Sequence, residues 1–362
     1  MSKRILDGDV AVQGDVQAGG SFGNIASEVQ AEKNAALNSW TNHFEVNTAV
    51  DRSSWFDVCW SPLLGLFAAV ATHGGTTGGY KRVATSPDGE NWTRYTTPTG
   101  GSYRGICWSP ELRIFCAVGT GANEKVITST NGTTWTPVTV DTSPYPGFQA
   151  VCWSPELGIF CAVGYGTIYT SPDGSTWTDQ GITAYDWEAI CWSPELGIFC
   201  AVTGSDIGIS SDGVNWSFST PGFSFGINGI AWSPKKGFCI CGNLCYFAVS
   251  ADGTSWTERK SLEFSNTIRT FQKVVWIPEL GVFAACAQDY TNEAVGTSPD
   301  GVYWVPHNTY PTNVASIVYP SYGIAWSPSL GRVCVTNNED YRGSVLLSGK
   351  ADFAAAIARG LS

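Results

Sequence analysis

Charge is scarce in this chain. Asp, Glu, Lys and Arg make up 14% of its 362 residues, the acids outnumber the bases 31 to 20, and no cluster of Lys and Arg offers a surface able to track phosphates. Nucleic acid is therefore not an expected partner. Long apolar runs are also lacking: nothing approaches membrane-spanning length, and the basic start Met1-Ser2-Lys3-Arg4 is not followed by the apolar segment of a secretory leader. Synthesis and folding in a cytoplasm, without membrane insertion, are expected. No Cys-x-x-Cys pair occurs, and the three histidines, His43, His73 and His307, lack ligand spacing, so no metal is expected. His-Glu-x-x-His and phosphate-binding loops are missing as well, which leaves no cofactor to expect.

What the chain has instead is repetition. Trp-Ser-Pro, once as Trp-Ile-Pro, starts at Trp60, Trp108, Trp153, Trp192, Trp232, Trp276 and Trp326, with spacings of 48, 45, 39, 40, 44 and 50 residues. About 40 to 50 residues is the size of one four-stranded propeller blade, larger than most solenoid units. A second motif, Ser-x-Asp/Asn-Gly-x-x-Trp, is interleaved at Ser86 to Trp92, Ser129 to Trp135, Ser171 to Trp177, Ser210 to Trp216, Ser250 to Trp256 and Ser298 to Trp304. Its Asp-Gly pair marks a hairpin turn, because Gly supplies positive φ and the Asp side chain bonds nearby backbone N–H groups. The tryptophan that ends it reads as a packing anchor, worth on the order of 4 to 6 kcal/mol if roughly 150 to 250 Å² of ring is buried. In the third repeat, strand-like runs rich in β-branched and aromatic residues fall at 150–154, 159–163, 167–170 and 176–178, and no ordinary helix fits between them.

The seventh repeat is short of one strand. After Trp326 only the runs near Ile324, at 333–336 and at 345–348 remain, whereas Asn38-Ser39-Trp40-Thr41 mimics the end of the second motif. Trp40 precedes Trp60 by 20 residues, within the 15 to 22 separating the other motif tryptophans from the next Trp-Ser-Pro. The expected fold is thus all-β, a seven-bladed β-propeller whose N-terminal strand completes the last blade and removes exposed sheet edges. The expected organisation is an arm over 1–37, the propeller over 38–350 and a tail over 351–362, the tail forming a short helix. In the arm, the hexads Gly8 to Gln13 and Gly14 to Gly19 alternate like a half-buried strand, and a helix is expected from Asn24 to Leu37.

The twelve cysteines follow the repeat. Cys59, Cys107, Cys152 and Cys191 precede the motif tryptophan where other repeats have Ala231, Val275 and Ala325; Cys116, Cys161, Cys200 and Cys334 share a position with Ala68 and Ala284. Exchange with Ala and Val marks a small apolar core site, so reduced thiols are expected. Cys107 with Cys116, Cys152 with Cys161 and Cys191 with Cys200 nevertheless flank a tight hairpin symmetrically, and could face each other as bridges.

Ser171-Pro172-Asp173-Gly174-Ser175-Thr176-Trp177 resembles an Asp-box turn of sialidase-type propellers, shortened by one residue between Asp and Gly. The compound repeat Cys152-Trp153-Ser154-Pro155-Glu156-Leu157-Gly158-Ile159-Phe160 resembles propeller repeats of bacteriophage and large-virus structural proteins, over residues 38–348. That resemblance implies a non-enzymatic virion protein of a tail or fibre. Its propeller would recognise a host surface glycan or another virion component, and its N-terminal arm would dock on virion structural proteins or make a homo-oligomer. The rival reading is a cellular, cytoplasmic propeller that scaffolds complex assembly; a sialidase-like hydrolase is a lesser alternative. Asp boxes are structural in enzymes and non-enzymes alike. Sialidase chemistry needs an arginine cluster, but Arg82, Arg94, Arg104, Arg113, Arg259, Arg269, Arg332 and Arg342 do not recur at one repeat position, so no catalytic residue is assigned.

Recognition is expected on the face carrying the variable connections, 73–81, 119–125, 137–147, 258–270, 288–293, 306–321 and 337–342. Five residues before each motif tryptophan stand Trp55, Tyr103, Phe148, Trp187, Ile227, Phe271 and Ser321, followed in several repeats by a polar residue: Arg104, Gln149, Glu188, Asn228, Gln272. Trp55, Tyr103, Phe148, Trp187 and Phe271 would offer stacking platforms, with Arg104, Gln149 and Glu188 as hydrogen-bonding groups, for a sugar at the channel mouth. The alternative for the aromatic set is packing between blades.

Overall fold

A computed structural model of the protein describes residues 22–44, 53–73, 79–98, 100–121, 125–264, 269–288, 293–307, 321–337 and 344–351. Seven four-stranded antiparallel sheets follow one another along it. Blades 1 to 6 are contiguous in sequence, at 54–97, 102–138, 148–179, 187–219, 227–260 and 270–307; blade 7 joins 321–348 to the strand Trp40–Phe44. The first strand of each blade lies against the first strands of both neighbouring blades, blade 7 against blade 1 included. The sheets therefore close into a ring, a seven-bladed β-propeller with the first strands innermost.

Blade 3 shows the expected grammar with small shifts. Its strands are Phe148–Ser154, Ile159–Gly164, Thr167–Ser171 and Thr178–Asp179. The fourth starts after Trp177 because the turn engages Thr176: Asp173 Oδ1 accepts the amides of Ser175 and Thr176 at 2.8 and 2.7 Å. Ser171 Oγ accepts the Gly174 amide at 2.8 Å, and Trp177 Nε1 donates to the Gly174 carbonyl at 3.0 Å. Gly174 has φ of +76°, which an L side chain would find strained. Each second-strand phenylalanine of blades 1 to 5 lies between two tryptophans, as Phe160 does between Trp153 at 4.6 Å and Trp177 at 6.3 Å. The two sequence motifs are thus the two jaws of one aromatic sandwich.

A second use of the tryptophans links blade to blade. The indole Nε1 groups of Trp153, Trp192, Trp232 and Trp326 donate to Glu111, Glu156, Glu195 and Glu279 of the preceding blade's Trp-x-Pro-Glu turn, at 2.6 to 2.7 Å.

Closure follows the expected route, with Trp40 opposite Ser348 and Thr41 opposite Leu347. Trp40 Nε1 donates to the Leu37 carbonyl at 2.7 Å, three residues back, where the other blades use the turn glycine. That carbonyl belongs to the end of a helix, α1, Phe22–Asn38, which seats Ala36 and Leu37 in the core beside Leu280 and Leu346. The hexads before α1, most of the expected tail helix, and parts of six of the seven variable connections lie outside the described residues.

All twelve cysteines are free thiols, and Cys107, Cys152 and Cys191 stand directly opposite Cys116, Cys161 and Cys200 across their hairpins. Burial pushes these thiols up, Cys161 and Cys200 well beyond the ordinary 9.0.

Candidate functional site at the channel mouth

Every inner strand carries a β-bulge at the same place. Pairing with the second strand skips Phe56, Arg104, Gln149, Glu188, Asn228, Gln272 and Tyr322, one residue per blade. A bulge opposes two residues to one and re-aims the extra side chain. The skipped residues line a cavity of about 560 Å³ at the channel mouth, on the face carrying the variable connections.

The bulge also decides the fate of the preceding residue. Trp55, Tyr103, Phe148, Trp187 and Phe271 are at most 1% exposed. Trp187 packs against Tyr185, Trp216 and Phe218 at 5.2 to 6.2 Å, and Phe271 against Phe247 and Phe264 at 4.8 and 5.0 Å. The expectation that these five aromatics form stacking platforms is corrected: their rings belong to the core within and between blades, because the side chain before the bulge turns outward from the channel. Of the expected site, Arg104, Gln149 and Glu188 reach the cavity.

One step deeper the inner strands approach closely. A Cβ at Gly105 would lie 2.9 Å from Ala150 Cα, and one at Gly229 2.9 Å from the Gln272 carbonyl, so small residues are required there. Blades 1 and 6 depart from this, with Asp57 and Lys273. Gly323 of the intervening blade has no side chain, and its missing Cβ would abut Asp57 Cα at 2.7 Å. Across that gap Lys273 Nζ pairs with Asp57 Oδ1. Asp57, 5% exposed, also accepts its neighbour's amide, Val58 N, at 2.8 Å and Ile106 N of blade 2 at 3.1 Å. A buried carboxylate with three donors is held in place, so Asp57 staples blades 1, 2 and 6 together.

At the rim, Phe56 and Tyr322 meet with ring centroids 4.8 Å apart, and the Arg104 guanidinium lies 5.3 Å from the Phe56 ring. Arg104 Nη1 donates to Gln149 Oε1 at 3.0 Å. Arg104 Nε and Gln149 Nε2 are buried without a hydrogen-bond partner. Desolvation pushes the Glu188 carboxyl up, Arg104 pulls it down, and Asp186 raises it further; the net shift is upward. Among the described residues the mouth thus holds two acids, Asp57 and Glu188, against the cations Arg104 and Lys273, with His73, three side-chain amides and an aromatic pair. It suits a neutral, amide-rich ligand better than a polyanion. Phe56, Tyr322 and Lys273 escaped the sequence reading; the available signal was that Asp57 and Lys273 interrupt a row otherwise filled by Gly and Ala.

No protein-family model matches the chain, and no curated protein matches it in sequence. Solved structures do match in shape. One titled "YCF48 bound to D1 peptide" is 16% identical, covering 87% of this chain and 96% of that one with a TM-score of 0.63. A streptogramin B lyase is 10% identical, with 87% and 99% coverage and a TM-score of 0.65. The WD40 propeller domain of Doa1 is 13% identical, with 86% and 96% coverage and a TM-score of 0.61. The chain is a β-propeller. At such identities the likeness is one of fold, and function has to be argued from the site.

Proposed function

We propose that the protein is a non-enzymatic propeller that binds a peptide segment of a partner at its channel mouth, as a scaffold for complex assembly. The observation that carries this reading is the ring of seven bulged residues around one cavity. Arg104 Nε and Gln149 Nε2 are unpartnered donors for a peptide carbonyl, while Asn228, whose Nδ2 donates to Asn243 Oδ1 and the Phe271 carbonyl, and Gln272, whose Nε2 donates to Gln288 Oε1, leave their side-chain oxygens to accept a peptide N–H. The neutral balance of charge accords with backbone recognition, and a structurally similar propeller, YCF48, is seen with a peptide bound. Asp57 is committed to three structural partners, which leaves Glu188 as the remaining lining carboxylate among the described residues and argues against a hydrolytic pair there. None of the neighbours named above is a virion component, and the buried platforms weaken the glycan reading.

A phage-displayed linear peptide library panned on the full chain, followed by calorimetry of the selected peptides, tests the proposal. Arg104→Ala and Gln149→Ala should each weaken those peptides at least about tenfold, or ~1.4 kcal/mol, with thermal unfolding unchanged. Peptides that bind both variants as tightly as the original would place the site elsewhere. Failure to select peptides, together with Arg104-dependent binding on a glycan array, would replace the peptide by a sugar.

A further inference from the structure

The opposite face carries a second candidate, independent of the channel mouth. Four motif tryptophans give their indole N–H to a glutamate of the preceding blade, whereas Trp60, Trp108 and Trp276 have a buried Nε1 with no acceptor. The sequence explains the difference: the residue three after the preceding motif tryptophan is Ser329, Leu63 or Lys235 in these cases, in place of Glu. Ser329 is too short to reach, and Leu63 is apolar. At Trp276 the carboxylate is replaced by a cation, and the turn that bears it is one residue shorter. Trp232 pairs with Phe238, six residues on, where Trp153 pairs with Phe160, seven residues on.

The shortened turn leaves room. Between it, the blade 6 turn and α1 lies a cavity of about 560 Å³, lined by Trp276, Lys33, Lys235 and Lys236 and by no acidic side chain among the described residues. Lys33 reaches over from α1, with Nζ 3.9 Å from where a Cβ on Gly281 would stand. Asp300 of the blade 6 turn is near enough to Lys236 to feel its charge. The walls also include Leu280 and Pro278, a mixture of apolar surface and cationic groups that fits a short peptide stretch with one acidic group.

We infer that this cavity is a carboxylate-binding site for an acidic peptide, whose carboxylate takes the place at Trp276 Nε1 that a glutamate fills in the other blades. The protein itself supplies the template: four indole–carboxylate bonds of 2.6 to 2.7 Å in the same repeat position. A charge-assisted bond to a buried donor is among the stronger polar contacts, and lysine in place of glutamate takes away the internal acceptor and leaves the Trp276 indole N–H for an external acid. This inference stands whether or not the channel mouth binds a peptide.

The test reads the Trp276 indole resonance in full-length protein carrying 15N-tryptophan, assigned with Trp276→Phe. Three probes are titrated: acetyl-Gly-Glu-Gly-amide, its Gln counterpart, and acetyl-Gly-Gly-Gly with a free C-terminus. A saturable shift of this resonance is expected with the Glu peptide and none with the Gln peptide. A shift with the free-terminus peptide alone would make the occupant a chain terminus, still a carboxylate. Lys235→Ala should weaken the response at least about tenfold. Lys235→Glu should move the resonance with no peptide present and abolish the titration. Equal response to Glu and Gln peptides, or none to either carboxylate, would overturn the inference. Removal of residues 1–21 should leave the titration unchanged; a tenfold gain would make the chain's own Asp7, Asp9 or Asp15 the occupant and overturn the assignment to a partner.

Discussion

Single side chains in this propeller do different jobs, and the measurements that separate them differ. Trp187 is a core residue, so Trp187→Ala should lower unfolding free energy by about 3–5 kcal/mol, read by denaturant titration; an unchanged midpoint would return the ring to the surface. The turn aspartates are held by hydrogen bonds. Burial works against ionisation of Asp88 and Asp173, but backbone amides, Asn91 or Ser175 side chains and the motif serines bring both from 3.8 down to about 2. Asp212, gripped first by the Asn215 side chain, also falls to about 2. A lowered carboxyl pKa contributes stability that is complete above the unfolded value and disappears as pH falls through the folded one. The melting temperature should therefore drop between pH 3.8 and about 2, less steeply in an Asp173→Asn protein. His307 adds to acid sensitivity at a higher pH. Burial takes it from 6.5 down to about 4, so its contribution is complete above 6.5 and lost on acidification toward 4; His307→Gln should flatten that part of the stability profile.

At the scale of elements, the closing strand is the test of how the ring holds. Trp40 takes the part of a turn tryptophan although its carbonyl partner comes from helix α1, and it anchors a strand of five residues. Trp40→Ala should remove about 3–5 kcal/mol through the cavity it leaves. The loss should be local before it is global: hydrogen exchange at Leu346 and Leu347, in the neighbouring strand Ser344–Ser348, should accelerate while the blade 3 strands keep their protection. Uniform acceleration in both blades would mean that the ring opens as one unit.

Across the whole molecule, the blades share a thiol layer. Cys59, Cys107, Cys152 and Cys191 occupy one level of four consecutive inner strands, and burial pushes all four thiols well above 9.0. High pKa and burial together make them poor nucleophiles. Thiol titration should recover nearly all twelve cysteines in denaturant without reductant and few in the native protein. Recovery of about six or fewer would show that opposed pairs such as Cys152 and Cys161 have oxidised.

The repeat spacing, the turn residues and the orphaned Trp40 were sufficient for blade number and closure, because each records a local rule. Asp-Gly makes a turn wherever it occurs, a tryptophan at a fixed offset meets the same phenylalanine, and a blade short of one strand needs another. The composition of the channel rim was legible as a row of polar residues at Arg104, Gln149 and Glu188. Its geometry was not. Strict alternation cannot say which of two adjacent residues faces the channel, and the bulge that decides it exists only in the pairing of two strands. That bulge sends Trp187 into the core and Glu188 into the cavity. Likewise Asp57 and Lys273, 216 residues apart, meet because ring closure places their blades on either side of Gly323. Local chemistry is written along the chain, whereas contacts across the ring come into being only when the ring is closed.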